Sequence, residues 1–290
     1  MTSPQRAARP RRSGLWTALA LAAALLPSVP AAAAGMDCAK AASPVEKTIC
    51  ADPALREADR AMADAFSDLL SALPEKDKAD ARAAQRTWLA ARNACPDAAC
   101  LKARHAERLA ALEKARAAAR QAWLDERARL RAVLGWPDAC EQSYQEMVSP
   151  QGLDIPVLSP GVERFALDGE RALYCVQCDQ AAYQATYVAV LQDAPGKAGT
   201  LLRFPTVADS DAPSRPEPQE DLVGDLDFDA KAGTLTVLTK GRGLADCGVR
   251  AVYAFPPEGG VAVREIRVRQ CPRAPKGYVP PERWPLLRTR

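Results

Sequence analysis

From Asp52 to Ala132 apolar side chains recur at every third or fourth position. The series Leu55, Asp59, Met62, Phe66, Leu69 and Leu73 lies along one face of a helix. Asp52 and Pro53 supply an N-cap and a first-turn proline, and Pro74 closes the run. A second helix is expected over about 77–94, with Ala81, Ala84, Trp88 and Ala91 on one face. A third starts near Asp97 and continues beyond Leu130 through Leu101, His105, Arg108, Leu112 and Trp123. Upstream, Ser43 followed three residues later by Glu46 reads as a capping box, which places a short helix over 44–50. The first half thus predicts a small helical bundle.

Past Gly135, Pro137 and Cys140 the helix-forming runs give out and the pattern changes period. Residues 181–192 are β-branched and aromatic, 222–228 alternate with Asp225, Asp227 and Asp229, and 234–240 alternate again. The five residues 229–233 make a hairpin turn, and 251–255 with 261–268 read as a final hairpin. Residues 205–218 form a Pro-rich acidic loop, and the Pro- and Arg-rich tail 273–290 is expected to be extended or docked. The fold class is α+β in two segregated domains, a helical bundle over 35–134 and an antiparallel β-sandwich or barrel over 135–272.

Residues 1–34 change the reading of charge and compartment. Arg6, Arg9, Arg11 and Arg12 precede an unbroken apolar run from Leu15 to Leu26 and then small residues, the layout of a secretory leader cleaved near Ala34. The apolar run is too short for a permanent anchor, so a periplasmic or secreted product without stable membrane insertion is expected. The four leader arginines carry the basicity: without them the formal net charge of +3 becomes about −1. Nucleic-acid binding then lacks the concentrated basic surface that it needs.

In an oxidising compartment the nine cysteines, all downstream of the leader, default to disulfides, and the odd number leaves one over. If the first two long helices are antiparallel, Cys38 and Cys50 lie beside Cys95 and Cys100. Cross-pairing between those two pairs is then favoured, with local pairing left open. Charge is also uneven along the bundle. Residues 37–80 hold ten acidic and six basic side chains, whereas 81–134 hold five acidic and twelve basic. An acidic first helix could face a cationic partner.

The segment MDCAKAASPVEKTICADPALREADRAM, with QRTWLAARNAC and CLKARHAERLAAL further on, resembles the LprI-type lysozyme inhibitor domain over residues 38–112, although His105 stands where that family favours an aromatic. The resemblance implies a four-cysteine helical module of Cys38, Cys50, Cys95 and Cys100, and a lysozyme or other basic muramidase as partner. The second half, from about 138 to 271, resembles a proteobacterial periplasmic family of unknown function through CDQAAYQATYVAVL, GDLDFDAKAGTLTVLTKGRGLADCG and the closing Cys271. That likeness implies pairing of Cys247 with Cys271 and of Cys140 with Cys178, and leaves Cys175 as the free thiol.

Little in the chain suggests catalysis. His105 is the only histidine, so any triad or histidine metal site would have to be built on it alone, and its helical spacing reads as core. Cys175 and Cys178 form a C-x-x-C, but on a strand, where no helix dipole lowers a thiol pKa. Those two with Cys247 and Cys271 have zinc stoichiometry without a second C-x-x-C, and Asp225, Asp227 and Asp229 read as a solvated strand face before a calcium site. Lys240-Gly241-Arg242-Gly243 follows a strand without opening a helix, so it reads as a tight connection whose glycines adopt unusual backbone angles. Catalytic residues, metals and cofactors are therefore not expected. The leading expectation is a non-enzymatic periplasmic binding protein that blocks a muramidase. A cell-envelope interaction or stress-response module without lysozyme activity stands second, and a thiol-active protein using Cys175 and Cys178 third.

Overall fold

A computed structural model describes residues 36–149, 157–207, 210, 215–271 and 277–287; the leader expected over 1–34 lies outside the described residues. Among the described residues five α-helices precede eleven strands in chain order. Helix α1 (Pro44–Ala51) starts on the capping box, in which Glu46 N–H donates to Ser43 Oγ at 3.2 Å and Ser43 N–H to Glu46 Oε2 at 2.9 Å. Helix α2 (Pro53–Ala72) starts on Asp52, whose carboxylate accepts from the Ala54 and Leu55 amides. It buries Leu55, Asp59, Met62, Ala65, Leu69 and Ala72, the stripe expected from a 3.6-residue period.

Helix α3 (Glu75–Asn93) turns back at Pro74 and buries Gln85, Trp88 and Arg92. Helix α4 (Ala98–Leu134) is capped by Asp97 and runs for 37 residues, about 55 Å at 1.5 Å per residue. Gly135 ends it at φ 75°, its N–H donating to Arg131 O. The first part of α4 packs on α2, where Leu112 meets Met62, Leu69 and Trp88. Its last turns carry Leu130 and Leu134 onto one of the β-sheets. One helix therefore serves two cores.

The sequence pattern had no helix after Gly135, but α5 (Asp138–Met147) follows at once. Pro137 sets its entry, and Asp138 and Glu141 place negative charge in its first turn, where the helix dipole favours it. Its buried face, Cys140, Tyr144 and Met147, is too short a stripe to stand out in a window that also holds Gly and Pro.

The strands form two main antiparallel sheets. In the first, β1 (Val162–Ala166), β2 (Ala172–Gln180), β3 (Ala185–Gln192) and β4 (Thr200–Leu201) lie in that order, with β7 (Asp221–Val223) also on β3. In the second the order is β11 (Ala262–Arg269), β10 (Gly248–Ala254), β9 (Thr234–Lys240) and β8 (Asp225–Asp229). A small ribbon joins β5 (Phe204–Thr206) to β6 (Glu217–Gln219).

Leu173, Cys175, Ala189 and Leu191 of the first sheet share a core with Leu235, Val237, Val249, Ala251 and Tyr253 of the second. The β part is thus a sandwich. The other face of the first sheet, with Tyr174, Val176, Cys178, Val188 and Val190, packs on Leu134, Trp136 and Cys140. Helices, sheet and sheet form three layers. The middle sheet is covered on both sides, which explains why β2 is apolar almost throughout.

The run 222–228 is two strands instead of one. Gly224, at φ 135°, separates β7 in the first sheet from β8 in the second, and a Cβ there would lie 2.2 Å from Leu238 O. A glycine is needed for the chain to change sheets so tightly. The hairpin turn expected over 229–233 is closed by Asp229 Oδ1, which accepts from Lys231 N–H at 2.9 Å and Ala232 N–H at 3.0 Å. The tail docks on the edge of β11: Leu287 N–H donates to Ile266 O, and Trp284, 1% exposed, is held by Nε1–H to Val279 O.

Candidate functional site

The cysteines go into the scaffold. Bridges join Cys38 to Cys50, Cys95 to Cys100, Cys140 to Cys178 and Cys247 to Cys271. The cross-pairing favoured from helix directions is therefore corrected to local pairing. Cys38 sits in a 3-10 turn that folds back on α1, so its Cα is 5.6 Å from that of Cys50. Cys95 and Cys100 bracket the turn between α3 and α4 with Cα atoms 5.5 Å apart.

Cys175 is free and buried. Its side chain belongs to the core between the sheets, whereas Cys178 belongs to the helix-facing core and is bonded to Cys140. The C-x-x-C therefore points to opposite faces and forms no dithiol centre. Burial, and then the charge of Glu163, push the Cys175 thiol above its ordinary pKa. Thiol titration of the native protein should count zero reactive sulfhydryls, and unfolding without reductant should expose one. Two under native conditions would contradict this placement.

His105 is fully buried between α2, α3 and α4. Its Nδ1–H donates to Leu101 O at 2.8 Å, Nε2 lies 3.4 Å from Asp59 Oδ1, and the ring meets Trp88 edge-on. Asp59 also receives Arg92 Nη1–H at 3.1 Å and Met36 N–H at 3.1 Å. Burial works to raise the Asp59 carboxyl, but the His105 contact, the Arg92 charge and the Met36 amide outweigh it and hold it below the usual range. This is a satisfied polar knot inside the bundle, closed to substrate.

Part of the charge in the bundle is matched internally. Asp52 pairs with Lys102 at 2.7 Å, Asp68 with Arg116 at 3.2 Å and Asp59 with Arg92. These three acids of residues 37–80 thus meet bases of 81–134 across the helix contacts, which leaves less of the acidic surplus for a partner than the linear count suggested.

Asp225, Asp227 and Asp229 line one exposed face of β8. Asp225 is 2.7 Å from Lys240 Nζ, and Asp229 serves its turn. At the Lys240 to Gly243 connection neither Gly241 nor Gly243 has positive φ, contrary to the expectation from sequence; Ala245 does, at 53°. Gly241 is required by proximity, since a Cβ would lie 2.7 Å from Cys271 Sγ.

Sequence reasoning missed two features. The first is Arg127, which is fully buried where α4, α5 and β2 meet. Its place four residues after Trp123 and three before Leu130 on the inward face was the one available signal. The second is an open cleft of about 600 Å³ between the α2–α3 turn, α4 and the β1–β2 side of the first sheet. Leu73, Trp123, Leu130, Val162 and Tyr174 give it an apolar floor, and Lys76, Asp77, Glu126, Arg129 and Arg164 a charged rim. Its aromatic walls are fixed: Trp123 Nε1–H donates to Ala72 O at 2.6 Å, and Tyr174 O–H to Gln192 Oε1 at 3.2 Å. A second cavity, of about 630 Å³, lies among the turns at the far end of the sandwich, with Asp168, Lys231, Glu258 and Arg264 around it.

The profile of a family described as "Protein of unknown function (DUF1176)" matches residues 53–289. The chain belongs to the DUF1176 family. No curated protein and no solved structure matches it. The match starts at the first residue of α2 and takes in α2 to α5 with both sheets, a wider stretch than the 138–271 on which the likeness to an uncharacterised family rested. Three of the four bridges of this DUF1176 chain lie inside the matched range, and Cys38–Cys50 precedes it. No helix among the described residues is long and apolar enough to cross a membrane.

Proposed function

We infer that this chain is an exported, non-catalytic binding protein whose partner is a basic muramidase. The observation that carries the binding reading is where the reactive side chains are placed. Eight cysteines are crosslinks, the ninth is sealed between sheets and the sole histidine is locked in the bundle, so what the chain offers a partner is rigid surface. Four disulfides favour an oxidising compartment, in line with a cleaved leader over residues 1–34. The partner class comes from the four-cysteine pattern of residues 38–112, because the matched family is one of unknown function. A muramidase is a glycosidase with paired carboxylates in a cleft, and a folded protein can block that cleft by docking over it.

Purified chain at micromolar excess should slow lysis of bacterial cell walls by a basic lysozyme. Undiminished lysis would remove the muramidase reading. The second reading is an envelope interaction module without lysozyme activity. It is favoured by the apolar-floored cleft, whose size is within the range of ligand sites.

A further inference from the structure

The β9–β10 connection, residues 241–247, meets the β2–β3 turn at one end of the sandwich. Lys240 joins them: its N–H donates to Gln184 Oε1 at 2.9 Å, and its Nζ reaches Tyr183 O at 3.4 Å and Asp225 at 2.7 Å. At this end Leu244 is 70% exposed and Tyr183 43%. Gly243, next to Leu244 in the chain, lies against the Tyr183 ring, with its would-be Cβ 3.7 Å from Cδ1, so both exposed residues belong to the same end of the sandwich. Neither adds to a core.

The loop that displays Leu244 is held in shape. Cys247–Cys271 anchors its base, and Gly241 N–H donates to Cys247 O at 2.9 Å. Arg242 clamps Asp246 across the tip, Nε to Oδ1 at 2.7 Å, and Ala245 N–H donates to Arg242 O at 3.0 Å. Ala245 is the one non-glycine among the described residues with positive φ, a conformation that persists where surrounding structure imposes it. A loop fixed in this way loses little freedom on binding.

The charges beside it select a partner. Asp179 and Asp227 are exposed, whereas Lys240 is paired with Asp225 and Arg242 with Asp246. An approaching surface meets an apolar tip bordered by negative charge, which suits a cationic protein and repels anionic lipid.

We propose that Tyr183 and Leu244 anchor the chain in an apolar pocket on a basic protein, with Asp179 and Asp227 facing that protein's cationic rim. This rests on the docking reading above for the class of partner and places a contact on the β-sandwich, outside the residues 38–112 from which that class was read. The test is calorimetric titration of the purified chain with a basic lysozyme, using Leu244→Ser, Tyr183→Ser and, as a reference, Val133→Ser, which alters a side chain on α4 about as exposed as Tyr183. The expected result is at least tenfold weaker binding for the first two, less than twofold change for the third, and unchanged thermal unfolding for all. Full-strength binding by Leu244→Ser and Tyr183→Ser would overturn the anchor and leave the docking reading standing. No binding by the parent chain would overturn both. Capture of the parent chain by phosphatidylglycerol vesicles, lost in Leu244→Ser, would reassign the loop to lipid and overturn the proposal.

Discussion

Replacing Arg127 with methionine is expected to destabilise the protein by about 4 kcal/mol, the cost typical of breaking a buried ion pair from one side. Arg127 Nε–H donates to Glu141 Oε2 at 2.8 Å, Nη1 to Pro160 O at 3.1 Å and Nη2 to Gln177 O at 3.0 Å. Its guanidinium carbon lies 3.6 Å from the Tyr144 ring centroid and 5.3 Å from that of Trp136. One planar cation therefore ties α4 to α5, to the segment before β1 and to β2. Methionine fills much of the volume but strands a carboxylate and the carbonyls it served. Lysine keeps the charge without the fork, so it should recover only part of the loss. Urea unfolding measures both, and a change below 1 kcal/mol for Arg127→Met would refute the hub.

The second large effect is expected from removing Cys140–Cys178 as a double alanine variant. Its separation of 38 residues exceeds the 24, 12 and 5 of the other bridges. Loop-closure entropy then predicts a loss of about 4 kcal/mol, with the smallest loss for Cys95–Cys100. The bridge also fastens α5 to β2, the strand shared by both cores, so its loss should loosen the helix layer first. Hydrogen exchange should show α5 amides losing protection ahead of those of β10. Equal exposure of both would mean that the bridge stabilises the whole fold evenly.

Local chemistry made much of this architecture readable. Ser43 with Glu46, Asp52 with Pro53, and Asp97 each announce a helix start through groups that act within four residues, and Asp229 with Gly233 announces a hairpin in the same way. What stayed hidden depends on distant partners. Arg127 is one of several arginines on α4, and the hydrogen-bond partners that single it out lie 14 to 50 positions away. The sheet change at Gly224 is set by how closely Leu238 O approaches, and α5 by its attachment to β2. The disulfide preference failed because helix direction ignored the 3-10 turn that brings Cys38 back to Cys50. At the candidate surface, nothing in the neighbours of Leu244 marks it as exposed. That follows from the Arg242–Asp246 clamp and the bridge beneath it.

The bridges have one more consequence. Apart from Cys175, each cysteine is joined to the next one along the chain, so no crosslinked loop encloses the partner of another. A polypeptide oxidised from its amino end as it emerges would find every correct mate as the first thiol to arrive, with a single exception. Cys140 meets Cys175 before Cys178, and that premature bond would pull toward the helices a side chain destined for the opposite face of β2. The rate of maturation should then depend on a disulfide-shuffling catalyst at this one step.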